Sequence, residues 1–497
     1  MRHRGFQSVG TLLTLLVSVL LVTPIPATGG DVQDDLKARR ARLMERLGGD
    51  TLFVAFSAPL QVYSRDVEYE YRQDSNLWYL AGTDQEETIL VLMPGNSARR
   101  EILFISEPNP RREHWNGHLL TKSEARALTG IDTVYYTTEF EPFVTALMNG
   151  QPFDTPRQAV ATDFDAYLAA VGRGQARVSL LFGRRPAPSA ELPAIYEFAR
   201  RMRDRFVGAT MVDATPLVEG LRQVKTPYEQ QVLRRSLEIS SDAHRAGMQA
   251  AVPGAYEYEV EAAIERAYLA NGAMSPGYPS IVGSGPNATV LHYNKSSRQM
   301  QAGDLLLVDA AANYKGLTGD ITRTYPVSGR FTDAQKDIYR VVLDAQAAGM
   351  RAVRAGGYPA DVEQAVASAV RDGLLRLGLI TDASGDQFRT WYTHGVCHFI
   401  GMDVHDAGDY KRPFEPGVAF VIEPGVYIRE AALEMLPDTP ENRAFIAAVR
   451  PTVQRYRDIG IRVEDSFLLT AQGLVTLSDV PRTIEDIERF MARPAAR

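Results

Sequence analysis

The chain has 497 residues and a formal net charge of −7, with 45% hydrophobic and 23% charged residues. This composition is typical of a folded globular protein and excludes a wholly disordered chain. The acidic balance lacks the basic surface of a nucleic-acid-binding protein, so we predict no nucleic-acid partner. At roughly 100–200 residues per domain, the length predicts at least two domains.

The amino-terminal segment has the pattern of a secretory signal. Basic residues at positions 2–4 precede the apolar run Thr11–Val22, and Pro24 and Pro26 follow it. The run is shorter than the roughly 20 residues that span a bilayer. We therefore predict a signal peptide over residues 1–27, no membrane anchor after its cleavage, and a periplasmic or secreted location. The single cysteine, Cys397, predicts an exported protein without internal disulfides.

The first half of the mature chain predicts a mixed α/β domain over residues 31–212. Short apolar or β-branched runs bounded by turn-forming residues predict strands, and amphipathic patterns between them predict helices. The predicted strands are Leu52–Phe56, Thr88–Met93, Glu101–Ile105 and Val178–Phe182. The predicted helices are Asp34–Leu47, Lys122–Leu128 and Leu192–Phe206.

A second domain is predicted over residues 220–497. Lys315 and Gly316 form a turn signal between Leu305–Asn313 and Leu317–Val327, which predicts a β-hairpin. A polar, proline-containing insert, Arg429–Gly460, separates the last two predicted strands. The other predicted elements are the helices Thr226–Met248, Phe331–Arg354, Ala360–Leu377 and Thr483–Ala492 and the strands Val418–Ile428 and Ile461–Thr470.

Four carboxylates interrupt predicted strands that are otherwise apolar: Asp309 and Asp320 in the hairpin, and Glu423 and Glu464 in the two later strands. Burying one unpaired carboxylate costs several kcal/mol, so each needs a positive partner. An ion pair with an arginine would compensate the charge of any one carboxylate, but it is a weaker explanation for all four together. Together with an imidazole, the four form an oxygen-rich set suited to two divalent cations.

The hairpin turn decides how Asp309 and Asp320 are related. If the turn is centred on Tyr314 and Lys315, the two carboxylates face each other directly across the strands. If it is centred on Lys315 and Gly316, they lie on a near diagonal. Like charges at either spacing repel, so both alternatives require a cation nearby.

Histidines cluster next to the predicted strand that carries Glu423. Of eight histidines in the chain, His394, His398 and His405 fall within twelve positions, and His292 lies upstream. A single histidine is more often a hydrogen-bonded core residue than a ligand. Three so close together among glycines favour a functional site. Cys397, beside His398 in an apolar stretch, is better explained as a small buried residue than as a ligand.

These motifs resemble those of the aminopeptidase P family, the Xaa-Pro aminopeptidases. The resemblance implies a mixed α/β, creatinase-like amino-terminal domain followed by a pita-bread catalytic domain, so that the fold combines α/β and α+β classes. It implies a metal-dependent hydrolase that cleaves the bond between a first residue and a proline at position two. The similar segments are Tyr71–Leu80, Leu221–Pro227, Ile281–Gly285, Leu291–Tyr293, Asp309–Thr324, Thr393–Asp406, Glu423–Gly425 and Ile461–Asp465.

The resemblance also implies the roles of individual residues. Asp320 and Glu464 bridge two divalent cations in the family pattern, and manganese fits the ligands best, with zinc or cobalt as alternatives. Support of the ligands is an alternative role for some of the histidines. The implied metal ligands are Asp309, Asp320, His398, Glu423 and Glu464. The implied catalytic residues are His292, His394, His405, Glu423 and Arg462, and the substrate-binding residues are Tyr427 and Trp78.

The resemblance implies peptides with an amino-terminal Xaa-Pro pair as partners. Family members are commonly oligomeric, which implies a homo-oligomer, either a dimer or a tetramer.

Three alternative functions share part of the pattern. A prolidase has the same ligands but cleaves only dipeptides, and Tyr71–Leu80 argues against it. A methionine aminopeptidase lacks the additional domain and the pairing of His394 with Arg462. A non-catalytic peptide-binding module is disfavoured by the complete ligand set.

Overall fold

The computed structural model describes residues 29–151, 153, 164–183, 187 and 192–492. The predicted signal peptide at residues 1–27 lies outside these residues. Within them, no helix combines the length and the apolar character that crossing a membrane requires. The chain folds into a mixed α/β amino-terminal part and a second part of helices and small antiparallel sheets, as the sequence predicted.

A six-stranded mixed sheet forms the centre of the amino-terminal part. Its strands are β1 (Thr51–Phe56), β4 (Ile89–Leu92), β5 (Glu101–Ile105), β6 (Thr133–Tyr136), β7 (Ala176–Leu180) and β8 (Ala209–Asp213), and a separate exposed hairpin consists of β2 (Val62–Ser64) and β3 (Val67–Glu68). The sheet order is β6-β5-β4-β1-β7-β8, with β4 antiparallel to both neighbours and the other pairs parallel. The four predicted strands are all present, and β6 and β8 were not predicted.

Helices cover both faces of this sheet. Alternate residues of β1 point to different cores, with Phe53 in one cluster and Val54 in the other, because successive side chains of a strand face opposite ways. The helices are α1 (Gly29–Leu47), α2 (Ser75–Ala81), α3 (Pro110–Asn116), α4 (Lys122–Thr129), α5 (Phe140–Met148), α6 (Asp165–Gly172) and α7 (Ala194–Arg205).

The two parts are joined by α8 (Thr215–Arg222) and the long helix α9 (Pro227–Ala250). Thr226 begins α9 with a reciprocal cap: its hydroxyl accepts from the Glu229 N–H at 3.1 Å, and the Glu229 carboxylate accepts from the Thr226 N–H at 2.9 Å. Pro227 stands at the first helical position, where its missing N–H removes no helical bond.

The second part arranges its strands in four small sheets against helices. The strands are β9 (Ser275–Pro276), β10 (Ile281–Ser284), β11 (Leu305–Asp309), β12 (Ala312–Tyr314), β13 (Leu317–Thr318), β14 (Thr322–Pro326), β15 (Ala419–Ile422), β16 (Gly425–Tyr427), β17 (Gly460–Arg462), β18 (Asp465–Thr470) and β19 (Gly473–Thr476). The sheet orders are β10-β11-β14, β13-β12-β9, β15-β18-β19 and β16-β17. The helices after α9 are α10 (Glu257–Ala270), α11 (Asp333–Ala352), α12 (Pro359–Arg376), α13 (Glu430–Glu434), α14 (Pro440–Tyr456) and α15 (Ile484–Met491).

The predicted hairpin has its turn at Lys315 and Gly316. Both residues have positive φ, 50° and 80°, as a two-residue hairpin turn of this kind requires. Asp309 accordingly pairs with Thr322, which leaves Asp320 two positions away on the opposite strand. Of the two alternatives for the turn, the diagonal arrangement is therefore the one present.

Two predicted strands are each broken in the middle. Val418–Ile428 divides into β15 and β16 at Glu423 and Pro424, and Pro424 has no N–H to offer to a ladder. Ile461–Thr470 divides into β17 and β18 around Glu464. Each break coincides with an acidic residue, so these carboxylates project from strand ends instead of from strand interiors.

Candidate metal centre and active site

Five side chains proposed from the sequence as metal ligands come from different elements and meet in one place. Asp309 ends β11, Asp320 precedes β14, Glu423 follows β15, Glu464 lies between β17 and β18, and His398 lies in the loop before β15. An isolated bridge joins Thr322 to Glu464, where the Glu464 N–H donates to the Thr322 carbonyl at 3.0 Å. This bridge holds the chain at Glu464, between β17 and β18, against the hairpin strand β14.

The distances around His398 define the centre of the group. Its Nε2 lies 3.6 Å from Asp320 Oδ2, 3.5 Å from Glu423 Oε1 and 3.8 Å from Glu464 Oε1. One ligand atom from each of Asp320, His398 and Glu464 lies within 4.8 Å of the others. Asp309 lies next to this group. The Tyr278 hydroxyl is 2.7 Å from the Asp309 carboxylate and also contacts the Asp320 carboxylate.

The carboxylates are buried with little positive compensation from the protein. Arg462 Nη2 lies 2.5 Å from Asp309 Oδ2. Across the described part of the chain, Asp320, Glu423 and Glu464 form no ion pair with a lysine or arginine. Like charges packed this closely repel, so the arrangement calls for an additional cation.

The pKa values of these carboxylates are shifted by burial and by the excess of negative charge. Burial by itself would raise the pKa of Asp309, but the charge of Arg462 and the hydrogen bond from Tyr278 hold it below its ordinary value. Burial, followed by the charge of a neighbouring carboxylate, raises the pKa of Asp320 and of Glu464 well above the ordinary range.

Two atoms of the group are suited to bind a cation. Glu464 Oε1 is buried and has no hydrogen-bond partner among the described residues. His398 is neutral, because burial and then the nearby His405 lower its pKa to about 4. Its Nδ1 lies 3.1 Å from the Phe399 carbonyl, which places the proton there and leaves the Nε2 lone pair directed at the carboxylates. The donor set therefore fits a divalent cation.

A second cluster borders the carboxylates. The Tyr427 hydroxyl lies 2.8 Å from His394 Nε2 and receives a hydrogen bond from Arg462 Nη1 at 2.8 Å. His394 Nδ1 is 3.8 Å from Glu423 Oε2. Burial, and then the charge of Arg462, lowers the pKa of His394 to about 4, so it is neutral near pH 7. Arg462 thus links the Asp309 carboxylate to the Tyr427 and His394 pair.

His292 and His405 stand at the exposed side of the group. Both are exposed to solvent, in contrast to the buried His398. The ring of His405 meets that of His398 edge to face, with centroids 4.4 Å apart. Burial, and then the neighbouring His292, lowers the pKa of His405. The carboxylates therefore lie at the buried side of the site, and the imidazoles of His292 and His405 lie at its exposed side.

Trp78 lies in the contact between the two parts of the chain. Its indole lies so close to Gly316 that a side chain there would approach it to 2.9 Å. Trp78 lines a small cavity that holds none of the five proposed ligands. In the structure, Trp78 is a contact between the two domains. The predicted contact of Trp78 with substrate stays a prediction.

Tyr278 is the site residue that the sequence analysis missed. It sits just before β10, two residues after the short strand β9, and its hydroxyl is held by two carboxylates. Only its position between a glycine and a proline, Gly277 and Pro279, marks it in the sequence, and that pattern signals a turn and no chemistry.

Comparison with known proteins agrees with this geometry. Residues 231–471 match the model of metallopeptidase family M24, and residues 36–154 match that of the aminopeptidase P amino-terminal domain. The Xaa-Pro aminopeptidase of Escherichia coli is 33% identical over 470 residues, which cover 92% of this chain and 98% of that protein. The chain belongs to the aminopeptidase P family.

Solved structures of family members have the same fold. An aminopeptidase from Pseudomonas aeruginosa is 30% identical, with a TM-score of 0.78 over 93% of this chain and 98% of that one. Aminopeptidase P from E. coli with the inhibitor Pro-Leu is 31% identical, with a TM-score of 0.77 over 92% of this chain and 98% of that one. The predicted family and its two-domain fold are confirmed.

Proposed function

We propose that this chain is an exported aminopeptidase that uses two divalent cations to release the first residue of peptides with proline at position two. The observation that carries the proposal is that buried ligand atoms of Asp320, His398 and Glu464 lie together, and that Glu464 Oε1 has no hydrogen-bond partner among the described residues. The names of the relatives support the choice of substrate, since the E. coli protein is called an Xaa-Pro aminopeptidase.

Two overlapping sets of residues would hold the cations. Asp309, Asp320 and Glu464 form one set, and Asp320, Glu464, His398 and Glu423 form the other, with Asp320 and Glu464 common to both. Divalent cations bound there supply Lewis acidity and lower the pKa of water at the site. Manganese is our first choice, and zinc or cobalt remain alternatives. The E. coli aminopeptidase P has been solved in a zinc-substituted form, which supports exchange of metals at such a site.

Glu423 is the proposed proton carrier. It is half-buried, 3.5 Å from His398 Nε2 and 3.8 Å from His394 Nδ1. Without metal, burial raises its pKa to about 8, so the protein alone favours its protonated form near neutrality. A carboxylate beside these imidazoles is suited to take a proton from water and deliver it to the leaving nitrogen.

The neighbouring residues are proposed to hold the substrate. Proline at position two has a tertiary amide nitrogen without a hydrogen to donate, so recognition must use shape and carbonyl oxygens. His394, with its neutral ring against Tyr427, and Arg462 form the wall of the proposed prolyl site. The exposed imidazoles of His292 and His405 each offer one N–H to a substrate carbonyl.

A peptide panel tests this function. Protein purified without chelator is assayed on Ala-Pro, Ala-Pro-Ala, Ala-Ala-Ala and N-acetyl-Ala-Pro-Ala, with and without a chelator, and its bound metal is measured by elemental analysis. We expect release of free alanine from Ala-Pro-Ala only, loss of activity with the chelator, and two metal equivalents per chain. Hydrolysis of Ala-Pro alone would establish a prolidase instead, and a protein without metal or hydrolysis would establish a binding module.

Export and assembly are separate proposals. We expect the mature protein to begin close to residue 28 in the periplasm or culture medium, which amino-terminal sequencing of the native protein tests. We expect a dimer or tetramer in solution, which light scattering during size-exclusion chromatography tests. A full-length cytoplasmic monomer would contradict both.

A further inference from the structure

Residues 398–406, here called the histidine loop, carry two of the proposed site histidines at or near their ends. The loop has no helix or extended strand of its own. The Asp406 N–H closes it by donating to the Phe399 carbonyl at 2.8 Å. Because His398 and His405 approach each other edge to face at 4.4 Å, the loop conformation determines where one imidazole stands relative to the other.

Asp406 anchors this loop in the interior of the protein. Its carboxylate contacts Lys225 Nζ at 2.6 Å and also Arg222 Nη2. The side chains of Arg222, Lys225 and Asp406 are only 3%, 1% and 1% exposed, so the carboxylate meets both cations away from bulk solvent. The backbone of Gly401 lies against the Asp406 carboxylate so closely that a Cβ there would come within 2.2 Å of Oδ2.

The cations that hold Asp406 belong to the junction between the two domains. Arg222 ends α8, and its Nη1 donates to Asn76 Oδ1 in the amino-terminal domain at 2.8 Å. Asp403, also in the histidine loop, accepts from Arg72 Nη2 and Ser75 Oγ of that domain, both at 2.9 Å, and from Arg222 Nη2 at 2.7 Å. The histidine loop is therefore fixed to the domain junction through Asp403 and Asp406.

We propose that Asp406 is a positioning residue, which holds the histidine loop so that His405 stands correctly beside His398 and the substrate. Within the described residues, the Asp406 carboxylate bonds only to Arg222, Lys225 and the Asp403 backbone, and it forms no hydrogen bond with a proposed catalytic residue or metal ligand. The inference rests on the proposed function and extends it, because the active-site geometry then depends on ion pairs at the domain junction.

A double-mutant cycle tests this role. Asp406→Asn keeps the shape of the side chain but removes its charge, and we expect kcat for Ala-Pro-Ala to fall by roughly 10-fold to 100-fold. We expect KM and bound metal to change by less than about twofold, since among the described residues the Asp406 carboxylate forms no hydrogen bond with a proposed ligand or with the prolyl wall. In the background His405→Ala, the same change should lower kcat by no more than about twofold, because residues that act through one another are not additive.

Other outcomes overturn the inference. If the effects of Asp406→Asn and His405→Ala on kcat multiply, Asp406 does not act through His405. If Asp406→Asn lowers only the melting temperature while kcat per folded molecule stays normal, its role is merely structural. The matched control is Asp438→Asn, which removes an exposed carboxylate paired with Arg443 in the insert and should leave kcat unchanged.

A milder variant keeps the test decisive if Asp406→Asn fails to fold. Asp403→Asn retains the pairs of Asp406, and the Asp403 side chain is 40% exposed, so folding should tolerate it. We expect a smaller fall in kcat that again disappears in the His405→Ala background; multiplying effects here would overturn the inference. An inactive wild-type protein would overturn the proposed function and the inference together, whereas an active one with multiplying effects overturns the inference alone.

Discussion

In the metal-free protein, the three site carboxylates with raised pKa values, Asp320, Glu423 and Glu464, should make the fold less stable as the pH rises. Glu423 shows the effect most clearly: burial, opposed by Arg462 and reinforced by Asp309 and Glu363, raises its pKa from 4.5 to about 8. The folded state therefore binds this proton more tightly than the unfolded chain. The stabilisation is fully present below about pH 4.5 and is lost as the pH rises towards about 8. At about 1.4 kcal/mol for each tenfold change in proton affinity, the loss is about 5 kcal/mol.

Urea unfolding of chelator-treated protein at about pH 5 and about pH 8 measures this loss. Trp391 is fully buried in the catalytic domain, and its fluorescence reports unfolding there. We expect the free energy of unfolding of the wild type to fall with pH by several kcal/mol, and that of Glu423→Gln to fall less, because glutamine cannot ionise. The matched control Glu434→Gln, at an exposed position, should follow the wild type.

Bound metal should remove most of this pH dependence. Cations favour the ionised carboxylates, so metal-loaded wild type should lose little stability between about pH 5 and about pH 8. Equal pH dependence of metal-free wild type and Glu423→Gln would refute the reasoning, because it would mean that Glu423 titrates normally in the folded protein. An equal loss in metal-loaded and metal-free wild type would show that no cation compensates these charges.

Substitutions at three further residues separate the proposed roles. Glu464→Ala should abolish hydrolysis of Ala-Pro-Ala and reduce bound metal, and near-normal activity would contradict its bridging role. His405→Ala should lower kcat with nearly normal metal content, and loss of both ions in elemental analysis would make it a ligand. Arg462→Met leaves Asp309 buried without its cation, so the metal-free protein should lose roughly 3–5 kcal/mol in urea unfolding; Arg462→Lys should lose less, and equal stability of Arg462→Met and wild type would contradict the pairing.

The sequence predicted the site's composition better than its geometry. A carboxylate in an apolar run is detectable because its burial is costly, and this marked Asp309, Asp320, Glu423 and Glu464. The strand breaks at Glu423 and Glu464 were not predicted, although Pro424 was visible. The pattern of apolar residues continues across each break, so periodicity alone cannot distinguish one long strand from two short ones.

Several elements left too little signal to predict. Helix α10 has a weakly amphipathic sequence, with buried Glu257 and Tyr268 among its core positions, and it was missed. The insert was described as polar, yet it contains α13 and α14. Helix α14 packs on α11, where Arg455 Nη2 contacts Asp337 Oδ2 at 2.8 Å. Pro451 lies within α14, where a proline is normally disfavoured because it removes a helical hydrogen bond.

The residues that orient the site were hardest to predict because their partners are distant in the chain. Asp406 meets Arg222 across 184 positions and Lys225 across 181. Nothing in the local sequence distinguishes Asp406 from Asp409 just after the histidine loop, which instead caps a turn by accepting from the Lys411 N–H. Local sequence shows that a charged group needs a partner; only the tertiary structure shows which one. A catalytic constellation can therefore be recognised from its own residues, while its support at the domain junction becomes visible only when the two domains are seen in contact.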